Sequence, residues 1–138
     1  MEKFKFLIGN WDLAYRIPRN NSSEYGMDHG TGAFTRALDG KYVFFDYSTT
    51  SGVKAHGIFA KDSNVNQYRY WWFENSGVFL TATCKFLNES KLFLEWIDSE
   101  LTQIFTMETL DKVVLQMFRS TGRKEPEIVL EVIFTRKD

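Results

Sequence analysis

The sequence predicts an all-β fold, a closed antiparallel up-and-down barrel of about ten strands with a short helical turn at the N-terminus. Short runs rich in Val, Ile, Thr and aromatic residues alternate with turn residues about every 8–12 residues, a spacing typical of antiparallel sandwiches and barrels. Aromatic residues make up 17% of the 138 residues, which favours thick walls, a lined cavity or both over a plain aliphatic core. Helical periodicity is confined to the N-terminal segment.

The predicted strands follow one another through short turns, as in a meander. Asp39-Gly40 is the strongest two-residue hairpin signal, and the Asn and Asp residues of segment 62–66 tolerate a positive φ. The segment from Pro18 to His29 is polar and is predicted to be a loop. The ten predicted strands are Trp11–Ile17, Thr31–Leu38, Lys41–Thr50, Lys54–Lys61, Gln67–Glu74, Val78–Phe86, Lys91–Ile97, Leu101–Thr109, Val113–Ser120 and Ile128–Arg136.

Alternation along the strands indicates one dry face for each strand. In the last strand Ile128, Leu130 and Val132 share a side, while Glu127 and Glu131 share the other. A meander of ten strands removes its exposed edges by closing on itself. A ring of that width encloses more space than its own side chains fill, so we expect an internal apolar pocket.

The same alternation predicts which side chains line the pocket. Small-molecule pockets are mostly apolar, with a few polar groups that fix the orientation of the ligand. His56 shares strand parity with Ile58 and Ala60, which we expect to place its imidazole inside. The predicted ligand-binding residues are Phe45, Tyr47, His56, Tyr68, Tyr70, Trp72 and Trp96. The alternative is that these rings form a solid core without a ligand.

Charge and composition narrow the classes of partner. The net charge of −1 provides no field for nucleic acid or an anionic membrane surface. No stretch approaches the roughly 20 apolar residues that span a bilayer, and residues 1–8 are too short and too charged for a signal peptide. Cys84 is the single cysteine. We therefore expect one domain over residues 1–138, in the cytoplasm, with no nucleic-acid or membrane partner.

Residues with catalytic or metal-binding chemistry are few. His29 lies in a polar loop, and two histidines without further converging ligands do not predict a metal site. Cys84 shares parity with Leu80 and Ala82, which predicts a small buried side chain rather than a nucleophile. Carboxylates on strands are predicted to lie on the solvated outer face: Asp46, Glu74, Glu95 and Glu108. No catalytic residue, metal or cofactor is predicted.

Motifs in the same order along the chain resemble a known family. Leu7-Ile8-Gly9-Asn10-Trp11 places a Gly-x-Trp at the first strand. The later segments that carry the resemblance are Gly30–Phe34, Leu38–Val43, Asp46-Tyr47, Gly57–Phe59, Asp62, Met117-Phe118 and Glu131–Lys137. Over nearly its whole length the chain resembles a bacterial family of uncharacterised lipocalin-like domains in the calycin superfamily. This resemblance implies the barrel fold but brings little function with it.

The resemblance also implies how one end of the barrel is closed. In calycins a tryptophan of the first strand packs beneath a basic residue of the last strand, and here the matching pair is Trp11 and Arg136. Residues 1–8 are expected to form a helical turn that plugs the same end. The segment Pro18–His29 is too short and polar for the helix-turn-helix of fatty-acid-binding proteins. Phe134-x-Arg136 replaces their carboxylate-binding Arg-x-Tyr, which argues against fatty-acid carriage.

Three hypotheses of function follow. The first is a binding module that holds a small apolar or aromatic molecule in the cavity. The second is an enzyme that uses His56 or a carboxylate in the cavity as acid and base. Haem ligation by His56 is disfavoured, because the related nitrobindin-type barrels carry their axial histidine near the C-terminus. The third is a protein-interaction domain or homodimer, since the strand from Lys41 to Thr50 is apolar on both faces, with Tyr42 and Phe44 opposite Phe45.

Overall fold

The computed structural model describes residues 1–16, 29–120, 122 and 125–137. Ile17 and the predicted loop from Pro18 up to His29 lie outside these residues, whereas His29 itself begins a strand. A 3₁₀ helix, Glu2–Phe6, precedes the strands, and no helix in the described part of the chain has the length and apolar character to cross a membrane. The strands are β1 Gly9–Arg16, β2 His29–Ala37, β3 Tyr42–Thr49, β4 Lys54–Asp62, β5 Gln67–Glu74, β6 Phe79–Asn88, β7 Lys91–Trp96, β8 Leu101–Thr109, β9 Lys112–Arg119 and β10 Glu127–Arg136.

The ten strands form a closed antiparallel barrel in which each strand pairs with its neighbours in sequence and β1 pairs with β10. The predicted fold class is therefore confirmed, and the predicted strand ends differ from the observed ones by at most two residues. Closure leaves no unpaired edge, which explains why a chain with so many apolar strands needs no covering helix.

The first hairpin differs in detail from the prediction. A two-residue turn was expected at Asp39-Gly40, but Ala37 pairs with Tyr42 and the connection has four residues. Leu38 and Asp39 both have positive φ, 51° and 60°, and the Lys41 amide donates to the Leu38 carbonyl at 3.2 Å. The left-handed stretch thus begins one residue before the Asp-Gly pair.

The 3₁₀ helix closes one end of the barrel, which we call the closed end. Phe4 and Leu7 have no exposed surface. The Phe4 ring packs on Phe59 at 4.8 Å and on Phe86 at 4.9 Å between ring centroids. The helix is short, so burial of these apolar side chains rather than helix propensity holds it in place.

Arg136 fastens this closed end. Trp11 pairs with Arg136 across β1 and β10, and the guanidinium carbon lies 4.2 Å from the centre of the indole ring. Arg136 Nη1 donates to the Ile8 carbonyl at 2.8 Å, and Nε donates to the Leu110 carbonyl at 2.9 Å. One side chain thus joins the N-terminal segment, the β8–β9 turn and the last strand.

The glycine of the Gly-x-Trp motif has a physical role in this closure. Gly9 has a φ of +135°, a conformation that L side chains rarely adopt. A Cβ at this position would come within 2.3 Å of Arg136 Nη1. Trp11 donates from Nε1 to the Leu7 carbonyl at 2.8 Å, so the chain folds back tightly around this point. A glycine at position 9 therefore allows the Arg136 guanidinium to reach the Ile8 carbonyl.

Candidate ligand-binding cavity

The opposite end of the barrel, the open end, is hollow. It contains a cavity of about 360 Å³. The cavity lies at the end of the barrel where β2 carries Gly30 and Gly32, whereas Phe34 is buried deeper on the same strand. Gly32 leaves room for the Phe45 ring, since a Cβ there would meet that ring. The cavity is lined by Leu13, Tyr15, Phe45, Tyr47, Val53, Tyr70, Trp72, Glu74, Leu80, Trp96, Ser99, Leu101, Gln103, Phe105, Leu115, Met117, Leu130, Val132 and Phe134.

Four phenylalanine rings form the floor of the cavity. Phe34 lies beneath and stacks on Phe45, with 4.1 Å between centroids and 12° between planes. Phe105 and Phe134 pack edge-on to each other at 6.0 Å, and both contact Phe34 at 6.2 Å. All four rings are almost fully buried. Such interlocked rings give the floor a fixed shape.

The aromatic wall consists of rings on β3, β5 and β7. Tyr47 and Trp72 lie 5.7 Å apart between centroids, and Phe45 and Trp72 lie 6.2 Å apart. Tyr70 contacts Trp72 at 6.2 Å and Trp96 at 5.8 Å. None of these pairs is stacked face to face, so each ring keeps a surface that a ligand can contact.

Strand β4, between β3 and β5, provides the room for this wall. Its inward residues are Ala55 and Gly57 where the neighbouring strands carry rings, because Gly57 pairs with both Phe45 and Trp72. A Cβ on Gly57 would come within 2.2 Å of the Tyr70 hydroxyl oxygen. The glycine therefore lets the tyrosine ring lie across its backbone, and large side chains of β3 and β5 meet over β4.

Gln103 is the one buried polar residue among the described residues, with 4% of its surface exposed. Its Oε1 accepts a hydrogen bond from Trp96 Nε1 at 3.3 Å. An indole nitrogen only donates, so this bond fixes which end of the amide is the oxygen. The Nε2 donor makes no hydrogen bond to another described residue, and it belongs to a side chain that lines the cavity.

Glu74 lies at the mouth of the cavity, at the end of β5. Its Oε2 accepts from Trp72 Nε1 at 2.9 Å, and its Oε1 accepts from Ser76 Oγ at 3.0 Å.

Burial, and secondarily the negative charge of Glu74, raises the pKa of Tyr47 to about 12. Burial also raises the pKa of Tyr70 well above its ordinary value, so both phenols are neutral and able to donate hydrogen bonds at neutral pH.

The structure brings together most of the residues predicted to bind the ligand. Phe45, Tyr47, Tyr70, Trp72 and Trp96 all line the cavity. They come from three strands, and their inward parity was predicted from alternation alone.

Two predicted ligand residues lie elsewhere. Tyr68 points into the barrel, but it packs against Phe4 and Phe86 at the closed end, at 5.3 and 5.5 Å. The inward position expected for His56 is wrong. Gly57 and Phe59 are the buried residues of β4, so His56 lies on the outer face.

The outward imidazole of His56 forms a hydrogen bond with a neighbouring strand rather than with the cavity. His56 Nδ1 lies 2.7 Å from Asp46 Oδ1, and the His56 ring packs edge-on to Phe44 at 5.2 Å. His56 is therefore not placed to act on a molecule in the cavity, which removes it as acid, base or haem ligand there. No three His, Cys, Asp or Glu side chains of the described residues converge as a metal site.

The polar residues of the cavity that were not predicted include Glu74 and Gln103. Glu74 was expected on the outer face, although it shares parity with Tyr70 and Trp72 on β5, and counting along that strand would have placed it inside. Gln103 shares parity with the apolar Leu101 and Phe105 on β8, a signal of the same kind. Cys84 is buried as expected, and burial raises the pKa of its thiol.

The fold and the cavity define a class, closed antiparallel up-and-down β-barrels with an internal cavity open at one end. No family model and no curated protein matches the chain, so membership of a bacterial lipocalin-like family stays a prediction.

Among solved structures, the chain is similar to a de novo designed fluorescence-activating β-barrel, with 14% identity, a TM-score of 0.51 and coverage of 99% of both chains. It is also similar to a redesigned β-barrel, mFAP0, bound to DFHBI, with 9% identity, a TM-score of 0.50 and coverage of 95% of this chain and 99% of that one. At these identities the similarity concerns the fold.

Proposed function

We propose that this protein binds a small, mostly apolar or aromatic molecule in the open-end cavity. The observation that carries the proposal is a preformed space of about 360 Å³ with an aromatic wall and few polar groups. That volume lies within the usual range for small-molecule sites, about 300–1,000 Å³. The similar barrel that is bound to DFHBI supports the proposal, because it is a barrel of this fold that binds a small molecule.

The polar groups of the cavity are suited to orienting a ligand rather than to transforming it. The Gln103 amide nitrogen and the tyrosine hydroxyls can donate hydrogen bonds to a ligand, and the Glu74 carboxylate can accept one from it. Glu74 is the one carboxylate among the described lining residues, so the paired carboxylates of acid–base catalysis are not assembled there. These features support binding over an enzyme that uses the same cavity.

A cavity-filling variant tests the proposal. Met117 lines the cavity, whereas the next residue, Phe118, lies on the outer face of β9. We expect N-phenyl-1-naphthylamine, a neutral aromatic dye, to bind the unmodified protein saturably with one site per chain. Met117→Trp should weaken this binding at least about tenfold, equivalent to about 1.4 kcal/mol. Phe118→Trp introduces the same ring outside and should leave the affinity unchanged.

Native mass spectrometry of the purified protein complements the titration, since it detects small molecules that copurify and counts subunits. Absence of saturable dye binding, or equal affinities for both tryptophan variants, would contradict the proposed function. Thermal melts of both variants show whether each one is folded.

Exposed apolar side chains on the β5–β6 hairpin favour a second candidate function, self-association, through a different surface from the strand Lys41–Thr50 on which the sequence hypothesis rested. Phe79 is 70% exposed, and Phe73 and Val78 flank it with more than 40% exposed. Such a patch on a protein surface commonly marks a contact surface. We expect sedimentation velocity to detect a dimer that Phe79→Ser dissociates. A monomer at every concentration would exclude this candidate.

A cytoplasmic location is part of the same proposal. It is supported by the single cysteine, Cys84, which is buried and free and therefore has no disulfide to keep oxidised.

A further inference from the structure

Among the described residues, the lining of the cavity carries charge of one sign. Glu74 is the one charged side chain of that lining. No lysine, arginine or histidine of the described part of the chain forms an ion pair with Glu74. Within this part of the chain, a ligand with a negative group would thus meet a carboxylate without a basic partner, whereas a ligand with a positive group would meet its counter-charge.

The hydrogen bonds of Glu74 hold its carboxylate ready as an acceptor. Trp72 Nε1 donates to one oxygen at 2.9 Å and Ser76 Oγ donates to the other at 3.0 Å. Each carboxylate oxygen has two lone pairs, so both oxygens can accept another hydrogen bond. The two donors fix the position of the carboxylate without neutralising its charge.

The register of the sheet places this carboxylate beside the aromatic wall. Tyr47 pairs with Ala55, and Ala55 pairs with Glu74, so the phenol and the carboxylate flank a single small side chain. The negative charge acts at the Tyr47 oxygen, where it contributes to the raised pKa of that phenol. The same field disfavours any second negative charge near the mouth.

The rings next to Glu74 add to the preference for a positive group. Tyr47 and Trp72 meet at 5.7 Å and 51° between ring planes, and Tyr15 contacts Tyr47 at 6.2 Å. The faces of such rings carry negative potential and attract ammonium groups. A carboxylate flanked by a tryptophan and tyrosines is a combination that recognises organic cations.

We propose that the cavity selects ligands that carry an ammonium or other cationic nitrogen on an aromatic or apolar body, with Glu74 as the counter-charge, and discriminates against carboxylates of the same shape. The proposal rests on the proposed function, because it names the ligand class of the same site. The apolar body occupies the space above the phenylalanine floor, and the cationic nitrogen lies at the mouth, where water also reaches it.

Three ligands of one shape test the selectivity: 4-phenylbutylamine, which is cationic at neutral pH, neutral 4-phenyl-1-butanol and anionic 4-phenylbutyrate. Each competes with N-phenyl-1-naphthylamine for the intact protein. We expect the amine to bind at least about tenfold more tightly than the carboxylate, with the alcohol between them. Added salt should reduce the ratio, because a partly exposed charge pair is screened.

A matched pair of variants assigns the selectivity to one residue. Glu74→Gln keeps the shape and removes the charge, and it should bring the amine and carboxylate affinities to within about twofold of each other. Glu95→Gln removes a carboxylate from the exposed outer face of β7 and should leave the tenfold ratio unchanged. The wild-type ratio tests the proposal even if Glu74→Gln fails to fold.

The outcomes separate this inference from the function on which it rests. If the dye binds but the carboxylate competes as well as the amine, or no phenylbutyl compound competes, the cation selectivity is wrong and the cavity still binds apolar molecules. The same holds if Glu74→Gln folds and keeps the full ratio. If neither the dye nor any phenylbutyl compound binds, the proposed function itself fails.

Discussion

Replacing Arg136 with methionine removes the guanidinium that fastens the closed end while retaining a long apolar side chain. The guanidinium lies 4.2 Å above the Trp11 ring, a contact that contributes about 1 kcal/mol at a partly exposed site. Its hydrogen bonds to the Ile8 and Leu110 carbonyls measure 2.8 and 2.9 Å. A bond to a charged donor contributes about 1.5–3 kcal/mol.

The Arg136 side chain is 28% exposed, so water screens these interactions and the lower values apply. We therefore expect Arg136→Met to lower the free energy of unfolding by about 4 kcal/mol, a large part of the roughly 5–15 kcal/mol typical of a domain. With a urea m-value of about 2 kcal/mol per molar, the denaturation midpoint should fall by about 2 M. Arg136→Lys keeps the positive charge but loses the planar guanidinium with its several N–H donors. Its denaturation midpoint should therefore lie between those of the unmodified protein and Arg136→Met.

The neighbouring residue supplies the control. Lys137 forms an ion pair with Asp12 at 3.8 Å and its side chain is 45% exposed, so Lys137→Met should change the free energy of unfolding by less than about 0.5 kcal/mol. Urea denaturation followed by tryptophan fluorescence measures all three variants. A cost below about 1 kcal/mol for Arg136→Met, or a cost equal to that of Lys137→Met, would refute the assigned role of the guanidinium.

Three further predictions concern the barrel interior. Gly57→Ala places a Cβ 2.2 Å from the Tyr70 hydroxyl oxygen and should cost about 1–3 kcal/mol in a thermal melt, and a cost that Tyr70→Leu fails to reduce would contradict this contact. The free energy of unfolding should fall as pH rises from about 10 to about 12, because unfolded tyrosine loses its proton near pH 10 while Tyr47 keeps its proton to about 12 and buried Tyr70 and Cys84 also keep theirs, so the unfolded state binds fewer protons. Tyr47→Phe should remove part of this pH dependence and leave the part that comes from Tyr70 and Cys84, and an unchanged slope would exclude Tyr47 as a source. Cys84 should resist a thiol reagent in the native protein and react once per chain in urea, since burial raises its thiol pKa, whereas rapid native labelling would show that the thiol is accessible.

The fold was predictable because β-strand parity and turn chemistry repeat along the whole chain. β5 shows why most of the cavity wall was predictable too, since Tyr68 and Tyr70 share one face while the opposite face starts with the polar Gln67 and Arg69, and this parity extends to Trp72. β4 offered no such contrast. Its inward residues include the small Ala55 and Gly57, and outward Ile58 is the more hydrophobic signal, so His56 was assigned to the wrong face.

Glu74 shows a different limit of sequence analysis. Its parity on β5 pointed inward, but its residue type favoured solvent, and each expectation is correct in part. The carboxylate lines the cavity at the mouth, where the strand ends and water still reaches it. Whether strand parity or residue type predicts the position of a side chain depends on how far the residue lies from the end of the barrel. The folded structure shows that distance, and the sequence alone does not.

The position of the cavity explains why stability and the proposed binding can be assigned to opposite ends of one barrel. At the closed end, Phe4 and Trp11 are fully buried, and the Arg136 guanidinium packs on Trp11. At the open end, Gly32 and Gly57 leave room for the rings of Phe45 and Tyr70 to lie over their strands. These rings and their neighbours form the floor and wall of the cavity, and the space above them is what makes the open end able to hold a ligand.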